Sequence, residues 1–214
     1  MKDLKRLIRL IFGLYLCGLG TYLAVRANIG LSPWDAFAAG LSLRTGMLFG
    51  DAMVLSGFMV LAVDLLMREP IGLGTILNTM LIGKFADLMA WLSPVPYMES
   101  LLAGVPVLLL GQILICIGSY YYISTGWGCG PRDSLMVGIG KRLPRIPIGL
   151  ARFCTEGIAL TIGWSLGAPV GLGTVISIFG ISFTLQTVFH LYRFDAKSVK
   201  HEHLLGTIRR WTGK

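Results

Sequence analysis

An all-α polytopic membrane protein made of two pseudo-symmetric repeats is the fold class that this sequence predicts. Three observations point to it. Hydrophobic residues make up 54% of the 214 positions and charged residues only 14%, where soluble chains carry about a quarter charged; the mean hydropathy is +0.71. Six apolar runs are each long enough to cross a bilayer, and a block of sequence recurs in the second half. The 28 glycines and 9 prolines follow no collagen-like period and suit close-packed membrane helices interrupted by breaks.

A helix rises about 1.5 Å per residue, so a span needs roughly 17 to 25 residues. The runs 7–26, 48–67, 71–92, 101–124, 147–166 and 170–192 satisfy this. The first follows Lys2, Lys5, Arg6 and Arg9 and continues to Ala24 without a convincing cleavage site, so it reads as an uncleaved helix rather than a secretory signal. Most of the formal charge of +8 sits at the ends, with Arg193, Lys197, Lys200, Arg209, Arg210 and Lys214 after the last run. Such clusters anchor a chain against an anionic cytoplasmic leaflet, which predicts both termini inside and membrane lipid, not nucleic acid, as the partner of the basic residues. Cys17, Cys116, Cys129 and Cys154 have no metal-ligand spacing and read as small hydrophobes.

Two further apolar runs, Ile29 to Leu43 and Trp127 to Leu143, are too short or too polar to cross comfortably. They belong to the repeat. Gly30-Leu31-Ser32-Pro33-Trp34-Asp35 recurs 98 positions on as Gly128-Cys129-Gly130-Pro131-Arg132-Asp133. At the same offset Gly13 falls on Gly111, Gly20 on Gly118, Gly40 on Gly138 and Arg44 on Arg142. One position further on, Gly50 falls on Gly149, and Gly72-Leu73-Gly74-Thr75 falls on Gly171-Leu172-Gly173-Thr174. The halves are therefore 1–97 and 98–192, each reading span, short Pro-Asp helix, span, Gly-Leu-Gly-Thr, span, followed by a basic cytoplasmic tail, 193–214. In the tail Leu204, Ile208 and Trp211 have the spacing of a helix lying in the membrane interface, with a disordered basic tail as the alternative because Gly206 and Gly213 weaken a helix.

If the short helices are re-entrant, each half has three transmembrane helices and the second half is inverted. If they cross, there are eight spans and the repeats are parallel. Both arrangements obey the positive-inside rule. Polarity favours the first, because Arg132 and Asp133 at one end and Lys141 and Arg142 at the other leave only Ser134 to Gly140 apolar, and such a segment tolerates membrane depth only beside protein or a watery cavity.

Pro in a first helical turn loses nothing by lacking an N–H, and Asp close behind it suits the positive end of the helix dipole. Pro33 with Asp35 and Pro131 with Asp133 mark helix starts, and Gly30 and Gly128 upstream permit the sharp turn by which a broken helix presents its backbone to a substrate at mid-depth. This makes Trp34, Asp35, Arg132 and Asp133, with Asn78 from the third span, the candidate substrate-binding residues. The plainer reading is that each Asp only caps its own helix. Arg132 either holds an anion, neutralises Asp133 or reaches out to the surface. Gly72, Gly74 and Thr75, with Gly171, Gly173 and Thr174, read as packing and capping positions or as the backbone lining of a pathway; no Lys follows, as a nucleotide loop requires.

Ionisable residues inside spans are costly and therefore informative. Arg152 and Glu156 lie at i and i+4, and Lys84 and Asp87 at i and i+3, so each couple can pair on its own helix; Glu156 and Asp87 are the candidate proton-coupling carboxylates. Asp64 and His190 lie near enough to span ends to reach water, and Tyr120, Tyr121 and Tyr122 read as interfacial anchors. No catalytic triad, metal cluster, cofactor motif or carboxylate dyad has convincing spacing, so an enzyme is not expected.

The Gly-Leu-Ser-Pro-Trp-Asp block at Gly30 to Asp35, followed by Gly72 to Thr75 with Ile82-Gly83 and Asp87 downstream, resembles the YczE/YyaS/YitT family of bacterial integral membrane proteins. The resemblance runs from Gly13 to Phe194. It implies a bacterial inner-membrane protein of this size with links to transport or export of small molecules, and it carries over no catalytic residue. The second copy departs from the motif at Gly130 and Arg132. The expected function is transport of a small molecule by alternating access, with a passive channel or a membrane accessory or substrate-capture subunit as the alternatives, and with a second copy of the chain or an accessory protein as candidate partner.

Overall fold

The computed structural model describes residues 2–143, 145, 148–194, 199 and 202–204, with only the backbone described for Lys2, Val137 and 148–152. Among the described residues eight helices follow one another: α1 Lys2–Arg26, α2 Pro33–Thr45, α3 Phe49–Leu66, α4 Leu73–Leu92, α5 Leu101–Ile123, α6 Pro131–Arg142, α7 Ile148–Ser165 and α8 Leu172–Leu191. The interfacial helix expected at Leu204, Ile208 and Trp211 lies almost wholly outside the described residues.

Among the described residues four helices, α1, α3, α5 and α8, are long and apolar enough to cross a membrane. Two others expected to span, α4 and α7, are not among them; in α4 Asn78, Lys84 and Asp87 lower the hydropathy. Large apolar side chains point outward, among them Phe58 and Leu66 on α3, Leu109 on α5, and Phe179 and Phe183 on α8. Polar ones such as Ser56, Thr75, Thr79 and Gln112 point inward. That distribution suits lipid rather than water outside.

Small residues decide which helices touch. Along α1, Gly13 and Gly20 meet Gly118 and Gly111 of α5, and Gly104 of α5 meets Ala27 just past the α1 end. A Cβ on Gly13 would come within 2.7 Å of the Gly118 carbonyl oxygen, so the two backbones are in direct contact. Each seven-residue step forward in α1 is matched by a seven-residue step back in α5, so the two helices run antiparallel. Gly50 and Gly83 bring α3 against α4, and Gly40 and Gly163 bring α2 against α7.

The backbone bonds at the repeated motifs are reciprocal. Gly74 N–H donates to the Trp127 carbonyl at 2.7 Å, and Gly173 N–H donates to the Ile29 carbonyl at 2.7 Å. Each Gly-Leu-Gly-Thr turn thus docks on the approach to the short helix of the other half. Gly30 and Gly128 have φ of +113° and +117°, a conformation that L side chains rarely adopt, which explains glycine at both places. The ends of the bundle are equally clear. Arg26 at the close of α1 bonds Ser93 just after α4, and Gly50 in the first turn of α3 bonds Asp87 near the close of α4. So the close of α1 and the start of α3, which α2 joins, both lie at the closing end of α4.

Candidate functional site

The starts of α2 and α6 converge. Pro33 and Pro131 each occupy the first turn of their helix, as the sequence predicts. Between them lies a cavity of about 220 Å³, to which α2 contributes Ser32, Trp34 and Asp35 and α6 contributes Gly130, Arg132 and Asp133. Asn78 of α4, Gln112 and Tyr122 of α5, Glu156 of α7 and Ser177 of α8 add to its polar wall. The five residues singled out for substrate binding therefore lie in one cavity.

Their geometry is specific. The Arg132 guanidinium sits over the Trp34 ring, 5.2 Å from its centroid, a cation–π contact between equivalent positions of the two halves. This turns Arg132 toward the cavity. It lies within electrostatic reach of Asp35, Asp133 and Glu156. The Ser32 hydroxyl donates to Asp35 Oδ2 at 2.7 Å, and the Tyr122 hydroxyl donates to Asp133 Oδ2 at 3.4 Å. Asp35 is thus held by Ser32 at its own helix start and Asp133 by Tyr122 of α5, and both face the cavity.

Several expectations need correction. Lys84 does not hold Asp87: it pairs with Asp51 across the α3–α4 hairpin. Asp87 instead accepts the Gly50 N–H at 2.7 Å and fixes the start of α3, because the Gly50 and Gly83 contact draws that backbone within reach. Asp64 does not reach water, being 0% exposed. Tyr122 is buried over the cavity, whereas Tyr120 and Tyr121 do gather Arg9 and Tyr192 at the end of the bundle. Cys154 is exposed rather than buried. Glu156 lines the cavity, but the Arg152 side chain lies outside the described residues and so does the pair expected between them. The Gly-Leu-Gly-Thr turns pack and cap: Gly72 N–H donates to Thr75 Oγ1 at 3.3 Å and Gly171 N–H to Thr174 Oγ1 at 3.2 Å.

Sequence reasoning missed Gln112 and Ser177. The Gln112 amide nitrogen donates to Ser177 Oγ at 3.2 Å across α5 and α8, in a residue only 2% exposed. The signal was present, a lone amide in the apolar run 101–124, and Ser177 is the repeat equivalent of Asn78. Outside the spans, Glu69 in the α3–α4 connection bonds Lys141 at 2.7 Å and Arg142 at 3.2 Å. Those bonds, Lys141 first, hold its carboxyl below the ordinary range.

Fold and exterior define a helical membrane protein. Residues 4–190 match the family described as "Family of unknown function (DUF6198)". A Haemophilus influenzae protein described as "Uncharacterized protein" is 31% identical over 182 residues, 85% of this chain and 82% of its own. The "Uncharacterized membrane protein YczE" of Bacillus subtilis is 32% identical over 170 residues, 77% of this chain and 76% of its own. The "Uncharacterized protein YyaS" of the same organism is 29% identical over 171 residues, 78% of this chain and 83% of its own. The chain belongs to this YczE/YyaS-type membrane protein family. No solved structure matches it.

Proposed function

We propose that this protein is a transporter of a small molecule, working by alternating access between two inverted repeats, with α2 and α6 re-entrant and both termini on the cytoplasmic side of a bacterial inner membrane. The observation that carries the reading is the meeting of the two short helix starts, Arg132 over Trp34, across one cavity. Half-helix starts facing a central cavity from opposite repeats form a substrate site whose walls part on either side in turn. Antiparallel packing of α1 and α5 supports inversion, since equivalent helices run oppositely when each half crosses an odd number of times. The lying of the close of α1 and the start of α3 at one end of α4 supports re-entrance of α2. On this reading the cavity binds and releases its substrate without covalent chemistry, and lipid and solute are its partners.

Transport by purified protein in liposomes tests it, with a panel of small organic solutes and Asp133→Asn as the paired variant. The wild type should move a solute that empty liposomes do not, and Asp133→Asn should lose transport at unchanged melting temperature. Normal transport by the variant would return Asp133 to helix capping. Single cysteines at Arg44 and Arg142, in a background without the native cysteines, should label from opposite sides of the membrane; labelling from one side would overturn the inversion.

A further inference from the structure

On α3, Gly50, Gly57 and Asp64 follow one another at seven-residue intervals, and the first two face Gly83 and Thr79 of α4. Asp64 continues that line toward the end of α3, where α6 packs. Ninety-nine positions on, Gly57 corresponds to Glu156 and Asp64 to Gly163, so each half puts one carboxyl on this line, at a different level. Glu156 lines the cavity; Asp64 does not.

Asp64 is 0% exposed, and neither carboxyl oxygen has a hydrogen-bond partner among the described residues. The charged and titratable groups around it do not compensate. Glu69, five residues on, is a like charge within electrostatic reach, and Cys129 approaches from the turn before α6. Lys141 and Arg142 of α6 are bonded to Glu69. On α4, Lys84 and Asp87 lie at the far end, held by Asp51 and Gly50. An ionised carboxylate buried without a partner is among the most expensive groups a protein can hold, whereas a neutral carboxylic acid costs far less.

We propose that Asp64 is a proton-binding site coupled to the α3–α6 contact: the carboxyl holds a proton while the contact is closed and releases it when the contact opens to water. This rests on the alternating-access reading and names the proton as its coupling ion. The α3–α6 contact is built to open. The nearest atoms to a Cβ on Gly138 of α6 would be the Glu69 Cγ at 2.9 Å and the Met67 Cε at 3.1 Å, side chains from just past the end of α3 rather than backbone.

The test needs no substrate. Infrared spectra of the purified protein in lipid should contain the C=O stretch of a protonated carboxylic acid, lost in Asp64→Asn. Spin labels at Leu66→Cys and Leu143→Cys, exposed positions at the ends of α3 and α6, would report the contact, with Cys129 and Cys154 replaced by serine. Over about pH 5 to 9, one proton bound on closure should make the ratio of closed to open fall by up to about tenfold per pH unit, and Asp64→Asn should be flat. Asp64→Gly, which copies the equivalent Gly163, should be flat too and guards against misfolding of the amide. Absence of the band, or a wild-type response retained in a folded variant, would overturn the proposal while leaving transport itself intact. A band with no pH response of the contact would overturn the coupling.

Discussion

The contact of α2 with α7 and that of α6 with α3 occupy equivalent places in the two halves, yet they are closed by different means. Between α2 and α7 backbone meets backbone, since a Cβ on Gly40 would come within 2.7 Å of the Gly163 carbonyl oxygen. Between α6 and α3 the equivalent Gly138 meets side chains, and the seal is the ion pairing of Glu69 with Lys141 and Arg142. Position 163 is glycine in α7, and its counterpart in α3 is Asp64. The difference teaches that a shared pattern of helices does not impose equal interfaces. One side closes by shape and the other by charge and long side chains, so the second is the easier to loosen.

Gly40→Ala should show the largest effect. Its new Cβ has no flexible neighbour to displace, so we expect a loss of about 1 to 3 kcal/mol, read as a lower melting temperature in detergent. Gly138→Ala should cost less, because Met67 and Glu69 can turn aside. Equal losses at the two positions would erase the distinction between the contacts.

Next comes Glu69. Its depressed carboxyl contributes stability that is present above the ordinary value of 4.5 and lost as pH falls through the lower folded value. Acid should therefore loosen α6 from α3 below about pH 4.5, a range distinct from that of Asp64, and Glu69→Gln should remove this acid step in the melting temperature. An unchanged acid step in Glu69→Gln would assign it elsewhere.

Smaller and matched effects are expected where the halves agree. Thr75→Val and Thr174→Val each remove one bond to a Gly N–H and should cost about 1 kcal/mol apiece. A cost confined to one of them would break the equivalence of the two turns. Gln112→Leu places at that position the residue found at its equivalent, Leu14. It should change stability by less than about 1 kcal/mol, because an unpartnered Gln112 oxygen leaves along with the bond to Ser177.

Most of the helix plan was legible in the sequence because its signals are local. Apolar runs mark the long helices, Pro33 and Pro131 mark the short ones, and glycines in a repeated order mark the turns. The meeting of Trp34 with Arg132 was legible only through the repeat, which pairs residues far apart in the chain. Lys84 and Asp87 show where such reasoning stops. Spacing along one helix says which residues share a face, but Asp51 and Gly50, more than thirty positions away, took the two partners.

By itself the sequence determined that the chain is a helical membrane protein, about where its helices begin and that two of its motifs recur in the same order, because hydropathy, proline, glycine and similarity are properties of neighbouring residues and of their order. Only the tertiary structure decided that α1 and α5 run antiparallel, that Tyr122 and Gln112 turn inward, that Asp64 is shut away from water and that one interface is backbone while its twin is charge. Burial and partnership depend on which helix packs where, and that is settled by the close approach of surfaces from distant parts of the chain.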